Sequence, residues 1–300
     1  MSTALLLLPD FLLIVCGFCL CRYSTLDRPV WEAAEKLVYY LLFPVLLFNS
    51  VVRSPLKPGE TLSLTLVGVA VLAIGIVLAF AVRAWPGVDG RLHASGAQVA
   101  FRFNSFIALA LAERLGGPGG VAWMALLLAV GVPVCNVAAV WPLARHGGHS
   151  YAREIVRNPL IVATVLGLVA NLSGLKFPDP VSTTLQRIGV AALPVGLLAV
   201  GAGLRMGGLK AAPGLGLVFV LIRHAVLPAV GIGLALAVGL PPEQRLIVVL
   251  FAAMPTASSA YVLAARMGGD GPFVAGLVSV SILLGMVSIP WWLAVLGWVT

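Results

Sequence analysis

Charge is what this sequence lacks most. Only 10% of its 300 residues are Asp, Glu, Lys or Arg, against about 25% in soluble domains. A water-soluble fold cannot hide the 60% that are hydrophobic, so an ordinary soluble enzyme or binding domain is excluded. Carboxylates are scarcer than cations, 11 against 19 Lys and Arg. The resulting net charge of +8 is not a nucleic-acid signal, because no basic cluster with interleaved aromatics occurs. Lys and Arg sit near the ends of apolar runs, where membrane topology places them. Cysteine is sparse: Cys16, Cys19, Cys21 and Cys135 lie within or at the ends of apolar runs. No His lies near the first three, so small buried hydrophobes fit better than a metal site. No metal and no cofactor is expected. A basic region ahead of the first apolar run is missing too, so that run reads as a span and not a cleaved leader. Neither H-E-x-x-H nor a nucleotide P-loop occurs, which argues against a zinc protease and against ATP-driven transport by this chain alone.

What is present is long apolar runs, with a mean hydropathy of +1.06. They cover residues 4–21, 36–52, 61–82, 95–113, 120–143, 158–173, 182–204, 213–238, 244–265 and 272–298. A helix needs about 20 residues to cross a bilayer, so ten spans are expected. The runs are continuous rather than alternating, which argues for helices and against a β-barrel. The expected fold is an all-α polytopic membrane protein. Eleven Lys and Arg fall in loops after odd-numbered spans and six after even-numbered ones. Cytoplasmic loops carry the excess, which puts both termini outside and the polar stretch Ala144–Asn158 in the cytoplasm.

The chain nearly repeats itself. LAERLGG at Leu111–Gly117 echoes LAARMGG at Leu263–Gly269, and LFPVLL at Leu42–Leu47 echoes ALPVGL at Ala192–Leu197. The separations, 152 and 150 residues, are almost equal. Each half holds five spans. Five is odd, so the second half enters the membrane from the opposite side, an inverted-topology repeat of the kind found in secondary transporters. The expected division is a first five-helix repeat over 1–146, a cytoplasmic linker over 147–157 and a second repeat over 158–300.

Such repeats place the substrate near the midplane, where paired helices are interrupted. The 152 offset aligns RFNSFIALA (Arg102–Ala110) with MPTASSAYV (Met254–Val262), in the fourth and ninth spans. Pro255 breaks the helix before it, and broken backbone at membrane depth lines a cavity or packs in protein. Asn104, Ser105, Pro255, Thr256, Ser258 and Ser259 would then form a small polar room, although Ser and Thr also serve as helix glue. Arg102 and Arg223 are intramembrane cations, and His224 is a titratable neighbour; such groups are functional candidates. Cations without matching carboxylates point to an anionic substrate. Arg102 could instead snorkel to an interface, and His224 could serve packing. In the fifth span, Pro133 would kink the helix and Asn136 could bond a freed carbonyl.

Six segments resemble the auxin efflux carrier family: LVYYLLFPVLLFNSV (Leu37–Val51), FRFNSFIALAL (Phe101–Leu111), VPVCNV (Val132–Val137), RNPLIVATVLGLVANLSGL (Arg157–Leu175), LPVGLLAVGAGL (Leu193–Leu204) and AAMPTASSAYVLAARMGGD (Ala252–Asp270). They run from the second span to the ninth. The resemblance is to bacterial members that carry malonate-like acids, and so implies a bacterial inner membrane. It implies a scaffold of helices 1, 2, 6 and 7, which would also be the dimer face. Helices 3–5 and 8–10 would form a transport domain, with helices 4 and 9 broken and crossing. The substrate would bind beside the crossing and move by an elevator-like shift. The family's crossing Asn is matched by Asn104 and its ninth-helix Pro by Pro255. Plant members carry Pro just before the Asn, and here Phe103 stands in that place.

The function expected is secondary active transport of a small organic anion, a malonate-like carboxylate or an auxin-like acid, with coupling to protons, to sodium or to neither left open. The alternatives are an intramembrane enzyme or a membrane sensor binding an organic acid.

Overall fold

The computed structural model describes residues 3–53, 58–143, 159–175, 177–205, 208–257 and 259–299. The expected linker over 147–157 and candidate Ser258 lie outside the described residues. Among the described residues every element is helical and none is a strand. Among the described residues five stretches are long and apolar enough to cross a bilayer: Thr61–Ala84, Gly90–Val140 with its breaks, Asp179–Ala202, Pro213–Ala237 and Gly271–Val299. The chain is a polytopic membrane protein. Its contacts divide it into two compact units. One contains Met1–Leu62, Phe106–Ala129 and Ser150–Gly203, and the other Ser63–Ser105, Val130–His149 and Leu204–Thr300.

In the first unit α1 (Thr3–Tyr23) leads to α2 (Arg28–Leu37), a π-helical turn Val38–Leu42, and α3 (Phe43–Arg53). The second apolar run was expected to begin at residue 36, yet helix begins at Arg28. Pro29 stands in the first turn, where its missing N–H costs nothing. Arg28 adds bonds to Glu32 at 3.2 Å and Glu35 at 3.3 Å. The unit also holds α7 (Pro159–Leu172) and α8 (Asp179–Ala202). Helices α1 and α8 touch backbone to backbone. A Cβ on Gly17 would fall 1.9 Å from the Leu198 carbonyl oxygen, and one on Gly201 would fall 1.7 Å from that of Ile14. Small residues let membrane helices approach in this way. Asn171 of α7 donates through Nδ2 to the Val51 and Val52 carbonyls of α3, at 3.0 and 2.9 Å. Buried Asp10 of α1 accepts two hydrogen bonds from the Arg114 guanidinium.

The second unit begins with α4 (Pro58–Ala81) and α5 (Gly90–Gly96), continued by a 3-10 turn Ala97–Ala100. Arg102–Asn104 are not helical, and α6 (Ser105–Leu143) follows, its residues Phe106–Ala129 belonging to the first unit. The fourth and fifth apolar runs were expected as separate spans. They are two helices that meet within α6 at Gly117, where the backbone is not helical, with φ +55° and ψ −153°. Only glycine takes that conformation readily. In the second echo the left-handed residue is Gly268, with φ +74°. It aligns with Gly116, so the two phrases turn one residue out of step. The rest of the unit is α9 (Pro213–Leu221), a π-helical turn Ile222–Val226, α10 (Leu227–Ala237), α11 (Pro242–Ala253), α12 (Ser259–Arg266) and α13 (Gly271–Val299).

Candidate functional site

The site grows out of two places where the second unit's backbone stops being helical. Met254 takes φ −60° and ψ 138°, because a residue that precedes proline is pushed out of the helical region. Helix α11 therefore ends, Met254–Ala257 run free, and α12 restarts at Ser259. Pro255 packs against the bare face of Gly285 in α13, where a Cβ would meet its ring at 3.4 Å.

The other break has no proline. The 3-10 turn Ala97–Ala100 tightens the chain until the Gln98 carbonyl accepts from both Phe101 at 3.4 Å and Arg102 at 2.9 Å. The next three residues leave the helix. Phe103 is buried against Phe251, with ring centroids 4.7 Å apart, and faces Gly131. An aromatic wedge thus stands where plant members of the resembled family have a proline. The two breaks meet: the Asn104 N–H donates to the Pro255 carbonyl at 2.8 Å.

Breaking a helix leaves unpaired groups at both new ends. Arg223, fully buried in the π-helical turn, donates through Nη2 to the Phe251 carbonyl at 3.0 Å and through Nε to that of Met254. It caps the C-terminal end of α11. Away from the breaks, Arg91 reaches the Gly268 and Gly269 carbonyls in the turn after α12, at 3.2 and 3.3 Å. Arg102, buried within the first break, donates to Gln98 Oε1 at 3.3 Å and to Ser259 Oγ at 3.1 Å. Among the described residues neither Arg102 nor Arg223 pairs with a carboxylate.

The remaining candidates divide clearly. Thr256 is fully buried and engaged: its hydroxyl donates to the Val99 carbonyl at 2.8 Å and meets Ser281 Oγ at 3.1 Å, while its N–H donates to Ser281 Oγ at 2.9 Å. His224 Nε2 reaches Ser281 Oγ at 2.8 Å, and Nδ1 reaches Ser288 Oγ at 2.9 Å. Counting protons assigns the donors. The Thr256 hydroxyl proton goes to Val99, so Ser281 supplies the proton it shares with Thr256, and His224 Nε2–H donates to Ser281. Pro228 deprives the His224 carbonyl of its helical partner, and Trp292 Nε1 donates to that carbonyl instead, at 2.7 Å. Ser105 opens α6, half-buried, and Ser259 is exposed at the start of α12. Helix α6 continues through Pro133, and half-buried Asn136 has no hydrogen-bond partner among the described residues.

The crossing thus gathers Arg102, Asn104, Pro255, Thr256 and Ser259, while Arg223 and His224 hold it from the side. Sequence reasoning missed Gln98, Ser281 and Ser288. Their signal was a helical spacing: Gln98 lies four residues before Arg102, and Ser281 and Ser288 lie seven apart on one face of α13.

Comparison with known proteins agrees with this architecture. The family model described as "Membrane transport protein" matches residues 143–293. A relative from Rhizobium meliloti (strain 1021), named "Putative malonate transporter", is 27% identical over 282 residues, 88% of this chain and 86% of the relative. Both are described as transport proteins rather than enzymes. The family-model match over half its length shows that the chain belongs to the membrane transport proteins of the auxin efflux carrier family.

Proposed function

We propose that the chain is a secondary active transporter of a small organic anion, a malonate-like dicarboxylate, bound at the crossing of the two breaks. The observation that carries this reading is Arg102. It is a buried cation without a carboxylate partner among the described residues, set in one break and hydrogen-bonded to the start of α12 beyond the other. Backbone amides at helix starts favour anions. With the cation beside them, the breaks form a place where a carboxylate replaces the missing counter-ion. The relative's name supports the substrate class.

The remaining parts of the reading follow the echoed phrases. Ten spans form two inverted repeats, 1–146 and 158–300 joined by 147–157, with both termini outside and the linker in the cytoplasm of a bacterial inner membrane. Helices 1, 2, 6 and 7 are the scaffold and the dimer face, and helices 3–5 and 8–10 carry the substrate. Access exchanges by an elevator-like shift, as the family resemblance implies.

The test is uptake of labelled malonate into proteoliposomes, with and without an inward proton gradient, for wild type, Asn104→Ala and Arg102→Gln. Gradient-stimulated uptake that Arg102→Gln reduces at least tenfold in folded protein supports the reading. Wild-type uptake in both variants would remove the crossing from the site. Absence of uptake of any tested carboxylate by folded wild type would reject the substrate class.

A further inference from the structure

We infer that Arg223 is a positioning residue, the clamp that holds the second break open and keeps the two breaks crossed. Three observations carry this. First, its side chain has no exposed surface and no carboxylate partner among the described residues. Burying an unpaired guanidinium costs several kcal/mol. Something must compensate, and the partner present is the C-terminal end of α11, whose unpaired carbonyls carry partial negative charge. Second, the guanidinium uses two different nitrogens on two carbonyls of that end, Phe251 and Met254. The Met254 carbonyl has lost its helical donor because the chain turns away at Pro255. A fork can bridge two acceptors in a fixed geometry, whereas an ammonium is a single point. Third, Arg223 sits in the π-helical turn Ile222–Val226; such turns inside helices recur at functional sites.

The consequence reaches the other break. Met254 is bonded to Arg223, and the next residue, Pro255, accepts the Asn104 N–H. Arg223 therefore fixes the carbonyl on which the crossing rests. Without it, the freed carbonyls of α11 would seek donors by rewinding or by drawing in water, and Asn104 would lose its acceptor. Arg223 shapes the site without touching a ligand. The effect on transport rests on the reading proposed above, but the effect on the crossing does not.

The experiment uses the full chain in lipid nanodiscs and follows amide hydrogen exchange in wild type, Arg223→Met and Arg223→Lys. The expected result is at least tenfold faster exchange in peptides covering residues 102–104 and 254–257 of Arg223→Met. Helices α1 and α8 should stay unchanged, and Arg223→Lys should rescue part of the loss. In proteoliposomes the folded Arg223→Met protein should then show a raised KM for malonate that Arg223→Lys partly restores. Unchanged exchange at the two breaks overturns the inference, and so does acceleration spread evenly over every helix in both variants. A wild type that moves no malonate while the exchange pattern holds would sink the substrate reading and leave the clamp standing.

Discussion

Replacing Thr256 with valine separates a residue that touches ligand from one that builds the site. The two side chains have nearly the same shape, so packing is retained and only the hydroxyl is lost. That hydroxyl donates to the Val99 carbonyl and meets Ser281 Oγ, all with no access to water. Each hydrogen bond is worth about 1 kcal/mol net. The abandoned Val99 carbonyl adds a desolvation cost of about 1 kcal/mol or more. The expected loss is therefore about 2–3 kcal/mol, a factor of roughly 30–150 in the folding equilibrium at about 1.4 kcal/mol per tenfold. Unfolding in mixed micelles by titrated dodecyl sulfate measures it. Thr256→Ser keeps the hydroxyl and loses one methyl, which should cost about 1 kcal/mol. It should also bind malonate as wild type does. A Thr256→Val protein as stable as wild type would refute the network argument, as would a Thr256→Ser protein destabilised equally.

Two further changes act in the first unit. Asp10→Asn leaves Arg114 facing a neutral amide; removing one partner of a buried ion pair costs about 3–5 kcal/mol, but the Arg114 side chain is 35% exposed and recovers water. The same titration should therefore show a loss nearer 1–2 kcal/mol, and the Asp10→Asn, Arg114→Gln double variant should lose less than the sum of the singles; additive losses would show that the pair is not coupled. Gly201→Ala puts a carbon where the Ile14 carbonyl oxygen lies 1.7 Å away, so α1 and α8 must separate by more than an ångström. Overpacking of this kind costs about 1–3 kcal/mol, and wild-type stability in that variant would show that the contact is not made.

The helical breaks were legible because each leaves a mark in the sequence. Pro255 is explicit, and the resemblance pointed to Asn104 even without a proline before it. How the first break is made was not legible, because it depends on a 3-10 turn and on Phe103 packing between Phe251 and Gly131. Those neighbours are distant in sequence, and no local periodicity encodes them. That the fourth and fifth runs are two helices was legible, but that the single residue Gly117 separates them was not. LAERLGG carries its glycines at the end of an apolar run, where a loop and a one-residue kink read alike. Thr256 was a candidate contact from its place after Pro255 in the echoed segment, and His224 a candidate coupling group or a packing residue. Their hydrogen bonds to Ser281, Ser288 and Val99 place both in the framework around the crossing.

The scarcity of carboxylates takes on a different meaning once the cations are located. Counting intramembrane charge suggested an excess of positive groups waiting for an anion. Arg223 is not waiting: it is bonded to the carbonyl end of α11, at the second break. A helix C-terminus carries roughly half a negative charge, so this end does for Arg223 what Asp or Glu would do elsewhere. The helix starts at Ser105 and Ser259 keep their positive polarity, and Arg102 lies in the break before one and is bonded to the other. Of the two arginines at the breaks, Arg223 is bonded to a negative end and Arg102 stands at the positive ones. A break in an apolar helix creates one end of each polarity, so a site for an anion requires that the negative ends be covered. At the second break Arg223 covers the negative end, and Arg102, bonded to Gln98 and Ser259, stands without a carboxylate partner among the described residues.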